Sequence, residues 1–204
     1  MNDIQNGSTK KTTRRALLEF LDVSKVLLED LVYAYEQVTN TPSDFWLRTF
    51  VRTFFAYVEG VTYQFKQLAL VEGEALDLLD DIELSLLKEK TIDLDERGEV
   101  DFKPIRFPLL KNVRFAFNVV IKVFFLNLEI DYGSNGWKCF QDAYKVRNRI
   151  THPKFAYDLK ISTEKSDKRN GRELEVVSEA FEWYTDTVDL LYEKMMKYLD
   201  DFGW

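Results

Sequence analysis

The sequence predicts an all-α chain, folded as a bundle of four to five helices. Three observations predict it. Apolar residues make up 46% of the 204 positions, enough to fill a core. Only 4 prolines and 8 glycines interrupt the chain, too few for a turn-rich sandwich. Apolar positions also recur at helical spacing over long stretches.

Residues 1–11 are polar and read as a disordered tail, leaving one helical domain over 12–204. Thr12 or Thr13 caps a first helix that carries Leu17, Leu18, Leu21, Leu28, Leu31 and Val32 to about Val38. Asn40-Thr41-Pro42 breaks it, and Thr41 or Ser43 caps a second long helix ending near Gly73. Its stripe holds Phe45, Trp46, Phe50, Phe54, Phe55, Val58, Val61, Phe65 and Leu68. A short acidic helix follows over 75–89. Residues 91–107 contain Gly98 and Pro104, lead into Pro108, and read as an irregular surface excursion. Pro108 opens a third long helix to about Ile130, and the turn cluster 131–136 separates it from a helix over 137–150. A charged loop covers 162–172, with a weakly signalled hairpin between 157–161 and 174–177. The last helix starts at Glu173 or Ser178 and runs to Asp201, burying Phe181, Tyr184, Val188, Leu191, Met195 and Leu199.

Composition narrows the function classes. The single Cys139 excludes an intrachain disulfide and a cysteine-rich zinc site, which fits a reducing cytoplasm. Residues 1–15 are polar and basic and read as no secretory signal. The most apolar stretch, 115–130, is interrupted by Asn118, Lys122 and Asn127, so it reads as a buried helix and no membrane association is expected. No glycine motif cradles a phosphate, and the carboxylate pair Asp80-Asp81 has no histidine nearby, so no cofactor and no metal is expected.

Net charge is −7, unlike a general nucleic-acid coat protein, but its distribution is uneven. Residues 72–101 hold twelve acids and three bases, whereas 138–172 hold ten bases and four acids. The basic segment contains Arg147-Asn148-Arg149-Ile150-Thr151-His152-Pro153, and His152 is the chain's only histidine. Ordinary solvated faces give such charge runs too.

Trp137, Phe140, Tyr144 and Ile150 anchor the helix that ends in this stretch. Pro153 disfavours α geometry at His152, so the helix stops at Ile150 or Thr151. Asn148 and His152 stand four apart with Arg147 alongside, which gathers one proton carrier, one permanent cation and one polar orienter. That group suits RNA cleavage without metal. The ribose 2′-hydroxyl attacks the adjacent phosphorus, a base takes its proton, an acid protonates the leaving 5′-oxygen, and a guanidinium stabilises the charge gained. One histidine for two proton transfers implies two copies facing each other across a twofold axis. A helix C-terminus whose Arg147 and His152 merely complement the dipole fits the same residues.

The stretch Arg147-Asn148-Arg149-Ile150-Thr151-His152 resembles the signature of the HEPN superfamily: an Arg, a polar residue after it, and a His four to six intervening residues after the Arg. The motif covers six residues, and the helical order is compatible over most of the chain. The resemblance implies a four- or five-helix bundle and a metal-independent endoribonuclease acting as a homodimer. Products would carry 2′,3′-cyclic phosphate and 5′-hydroxyl ends. Settings would be toxin–antitoxin or anti-phage defence systems, with an antitoxin or other regulatory protein as partner. Carried over, Arg147 and His152 are catalytic and Asn148 supports them. Glu59, acidic within the apolar second helix, matches an early-helix acid that contacts the motif arginine in several members, though a plain surface acid or simple ion pair is the blander reading. Arg149 and Lys154 flank the motif as phosphate contacts, whereas Arg48 and Arg52 read as surface charges. Where one subclass has a modifiable Tyr two places after the His, this chain has Lys154, and Tyr157 lies too far along, so that control is not implied. The contrasting reading is a non-catalytic helical module that binds a partner protein or a nucleotide.

Overall fold

The computed structural model describes residues 2–163 and 172–201. The chain is all-α, with a single small hairpin among the described residues. In order come α1 (Asn2–Asn40), α2 (Asp44–Ala75), α3 (Asp81–Leu87), β1 (Lys90–Leu94), β2 (Val100–Pro104), α4 (Leu109–Val123), α5 (Asn135–Thr151), a 3-10 turn (Ala156–Leu159) and α6 (Glu173–Asp201).

Four elements differ from the sequence expectation, each for a local reason. The first helix begins at Asn2, taking in the residues expected to form a tail, and Thr13 is no cap. Its hydroxyl is buried and donates to Glu72 Oε2 at 2.8 Å. The acidic helix shrinks to α3 because Asp80 builds a capping box: its carboxylate accepts from the Glu83 amide, and the Glu83 carboxylate accepts from the Asp80 amide. The expected third long helix stops at Val123, where Phe125 turns left-handed (φ 48°). The amides of Phe125 and Leu126 donate back to the carbonyls of Lys122 and Ile121, closing the helix and burying Leu126.

The fourth difference is the excursion at 91–107, which is an antiparallel hairpin with Thr91 opposite Lys103 and Leu94 opposite Val100. The Asp95 carboxylate accepts from the amides of Arg97 and Glu99, folding the turn. Gly98 adopts φ 78°, a conformation that glycine reaches without steric cost. The weakly signalled second hairpin does not form, because 156–159 make a 3-10 turn and α6 is helical from Glu173. Most of the expected charged loop, 164–171, lies outside the described residues.

The chain divides into two compact units: Met1–Asp22 with Val61–Asn127 and Lys194–Trp204, and Val23–Gly60 with Leu128–Glu193. In the first unit Phe20 packs on Phe65, and Phe65 on Phe117. Lys66 is wholly buried in this unit. Its ammonium reaches Glu89 Oε1 at 2.7 Å and Asn112 Oδ1 at 3.1 Å and lies 5.3 Å from the Phe107 ring centre. A buried ammonium is tolerated only with such partners, and here they tie α2 to the residue before β1 and to α4.

The second unit holds the motif helix. Phe140 stacks on Tyr184 at 5.6 Å and on Trp137 at 5.5 Å, and Phe54 meets Phe140 edge-on at 6.1 Å. The buried Tyr184 hydroxyl donates to the Val58 carbonyl, so this ring is also fixed at its polar end. No helix among the described residues is long and apolar enough to cross a membrane.

Glu72 carries a pH-dependent cost in the first unit. Burial pushes its carboxyl above the ordinary carboxylate range, although the hydroxyls of Thr13 and Tyr198 pull the other way. The folded chain therefore keeps this proton to higher pH than the unfolded chain, and stability falls as pH rises through that window. Glu72→Gln keeps an acceptor for Thr13 and removes the titration. Urea unfolding should place the variant's midpoint above that of the parent at pH 7, with the gap narrowing at pH 4.

Candidate active site

The motif is delivered by α5. Ser134 caps the helix, its hydroxyl accepting from the Trp137 amide at 3.2 Å. Gly136 makes room for α6: a Cβ there would stand 2.4 Å from Trp183 Cδ1. Trp137, Phe140, Ala143, Val146 and Ile150 form the buried stripe. Arg147 and Asn148 fall beside that stripe and stay part-exposed. The helix stops at Thr151, and His152 leaves α geometry at φ −123°, ψ 59° ahead of Pro153.

Arg147, Asn148 and Glu59 are joined. Arg147 Nη2 donates to Glu59 Oε1 at 2.8 Å, and Nη1 donates to Asn148 Oδ1 at 3.1 Å. Glu59 projects from α2, so one carboxylate from another helix fixes the motif guanidinium. A guanidinium has five N–H donors, so these two bonds leave capacity for a ligand. His152 shares only a backbone bond with the cluster, its amide donating to the Asn148 carbonyl at 3.0 Å. The imidazole is exposed and has no hydrogen-bond partner among the described residues.

The other basic residues divide by their partners. Arg149 does not face solvent as a phosphate contact. It makes a two-pronged bond to the Glu173 carboxylate at 2.8 and 2.7 Å and donates to the carbonyls of Asp158 at 2.6 Å and Lys160 at 2.8 Å. Both terminal nitrogens of the guanidinium are thereby committed, Nη1 to the loop carbonyls and Nη2 to Glu173. Arg48 donates to the Leu159 carbonyl at 3.1 Å and Arg52 to the Ile150 carbonyl at 3.4 Å, so both serve backbone ends where surface charges were expected. Lys154 is exposed, and its amide donates to Asp158 Oδ2 at 2.8 Å.

Sequence reasoning missed Asp158 and Glu173. Both are buried acids. Asp158 also accepts from the Phe155 amide at 2.9 Å, and Glu173 from the Ser162 amide at 3.1 Å. Asp158 follows Phe155 by three residues, the spacing at which an acid caps the start of a helical turn, and that was the legible signal. Glu173 gave none beyond being an acid in the first turn of a helix. Together they satisfy the backbone groups after Pro153 that a strand would otherwise have needed.

Three other residues of α5 serve packing. Cys139 is buried, and burial and then the neighbouring Glu179 carboxylate push its thiol up to about 11, so it is no nucleophile. Trp137 is part of the aromatic core, and Tyr144 lies 6.0 Å from Phe55, ring centre to ring centre. No group of three His, Cys, Asp or Glu side chains that could hold a metal ion occurs among the described residues. No protein-family model matches the chain, and comparisons with the curated proteins and with the solved structures return no match.

Arg149 and Glu173 form a largely desolvated pair, and removing one partner of such a pair strands the other. Arg149→Lys keeps the charge but loses the planar fork. We expect it to lower unfolding stability by about 2 kcal/mol, read by urea denaturation. The nearby exposed change Lys154→Ala should shift it by less than about 0.5 kcal/mol.

Proposed function

We propose that this chain is a metal-independent endoribonuclease of the HEPN type. One observation carries the reading: a guanidinium braced by Glu59 and Asn148, with donors to spare, one helical turn ahead of an exposed imidazole. Arg147 holds the scissile phosphate and stabilises the charge gained as the 2′-oxygen attacks. Asn148 orients that fork, and Glu59 fixes its direction. His152 moves protons at the ribose 2′-hydroxyl or the leaving 5′-oxygen.

Each chain has one histidine for the two transfers, so two copies act together across a twofold axis. The partners are RNA and a second copy of the chain. The setting is a toxin or anti-phage effector of the cytoplasm, restrained by an antitoxin or other regulatory protein. The basic balance of the sequence over 138–172 favours a polyanion such as RNA over a neutral ligand.

Purified protein incubated with total RNA and EDTA should cleave it, leaving 2′,3′-cyclic phosphate and 5′-hydroxyl ends. Loss of the acid–base group or of the phosphate clamp removes a factor of roughly 10²–10⁴. His152→Ala and Arg147→Ala should each lose at least about a hundredfold, and Glu59→Gln about tenfold through Arg147. Cleavage by His152→Ala at the parent rate would end the proposal. No cleavage by the parent, with stable binding of a nucleotide or a protein, would make the chain a non-catalytic module.

A further inference from the structure

The loop after His152 presents two aromatic rings that the fold does not bury. Phe155 is 59% exposed and Tyr157 50% exposed. Their ring centres stand 5.3 Å apart, with planes 10° from parallel. The other stacked pairs described, Trp137 with Phe140 and Phe140 with Tyr184, belong to the core, where packing accounts for them. The Phe155–Tyr157 pair lies outside that core, with about half of each residue exposed.

This pair is also held in place. Asp158 accepts from the amides of Lys154 and Phe155, and Arg149 donates to the carbonyls of Asp158 and Lys160. Arg149 is in turn bound to Glu173. The rings thus sit on a braced turn, so little ordering is needed when a ligand lands on them. Phe155 follows His152 by three residues, so its Cα lies within about 11 Å of the histidine Cα. Lys154, next to Phe155 in the chain, and Lys160, three residues after Tyr157, are both exposed.

We infer that Phe155 and Tyr157 form a stacking platform for an unpaired base of single-stranded RNA next to the cleaved bond. Exposed aromatic faces on a segment that also carries exposed lysines match a nucleobase with its phosphate. A base inside a duplex has both faces covered, so the platform selects single strands, loops and bulges. Stacking accepts every base, so it positions a substrate without fixing its sequence. This inference rests on the ribonuclease reading and adds to it the class of RNA and the residues that grip it.

The test uses the full chain carrying His152→Ala, so that RNA is bound but not cut, with a single-stranded RNA oligonucleotide containing 2-aminopurine. Binding should quench the probe's fluorescence, because the base stacks. The double change Phe155→Leu and Tyr157→Leu should abolish the quenching and weaken binding by roughly ten- to a hundredfold. Phe155→Trp should preserve both. A duplex of the same sequence should bind the parent and the double variant alike. Both positions are exposed, so the melting temperature should not change. In the cutting-competent chain the double variant should raise KM more than it lowers kcat.

Quenching and affinity unchanged in the double variant would overturn the platform. Cleavage by the parent would then leave the ribonuclease reading standing, with the rings assigned to a protein partner. If the His152→Ala chain binds no RNA and the parent cuts none, both proposals fall together.

Discussion

The end of α5 is the constraint on which the candidate site depends. Pro153 forces the chain out of the helix at His152, and a helix that ends leaves carbonyls without partners. Arginines answer that demand. Arg52 reaches the Ile150 carbonyl, Arg48 the Leu159 carbonyl, and Arg149 those of Asp158 and Lys160. The loop after the helix can therefore stay close to the core without burying unpaired polar groups.

The aromatic core makes that ending reproducible. Phe140 lies between Trp137 and Tyr184, and Gly136 admits Trp183 against the start of α5. A helix seated by several rings cannot rotate without breaking all of these contacts, so the azimuth of Arg147 is set by residues a turn or more away. The Glu59–Arg147 bond then needs only a carboxylate at the right height on α2. Two layers of cause are separable here: packing fixes where the guanidinium is, and Glu59 with Asn148 fixes which way it points.

Much of this was legible in the sequence, and the rest was hidden for physical reasons. The helical stripes of α2, α5 and α6 were readable because burial imposes a 3.6-residue period. The break at His152 was readable because proline acts on its neighbour alone. The hairpin at 90–104 alternates weakly (Ile92 and Leu94, Val100 and Phe102), but the runs are short and its turn is built by the Asp95 carboxylate, so no two-residue turn signal was present. The early end of α4 was hidden because Phe125, a poor left-handed residue by type, is held there by its own amide bond to the Lys122 carbonyl and that of Leu126 to Ile121. Lys66 is a buried charge that no local pattern announces. Its partners Glu89 and Asn112 lie far along the chain and could not be paired with it from spacing.

The arginines show most clearly where sequence stops and structure begins. Arg48, Arg52, Arg147 and Arg149 are chemically alike, and four of a kind near one motif invite a shared role. Their partners divide them. Arg149 is committed to a carboxylate and two main carbonyls, so offering it a phosphate would mean breaking the loop it supports. Arg147 is held by one carboxylate oxygen and one amide oxygen, a grip that orients it without exhausting its donors. A part-exposed guanidinium that is oriented yet unsaturated is the condition for binding an anion that comes and goes. Among these four arginines Arg147 comes closest to that condition, and it stands about one turn from the only imidazole in the chain.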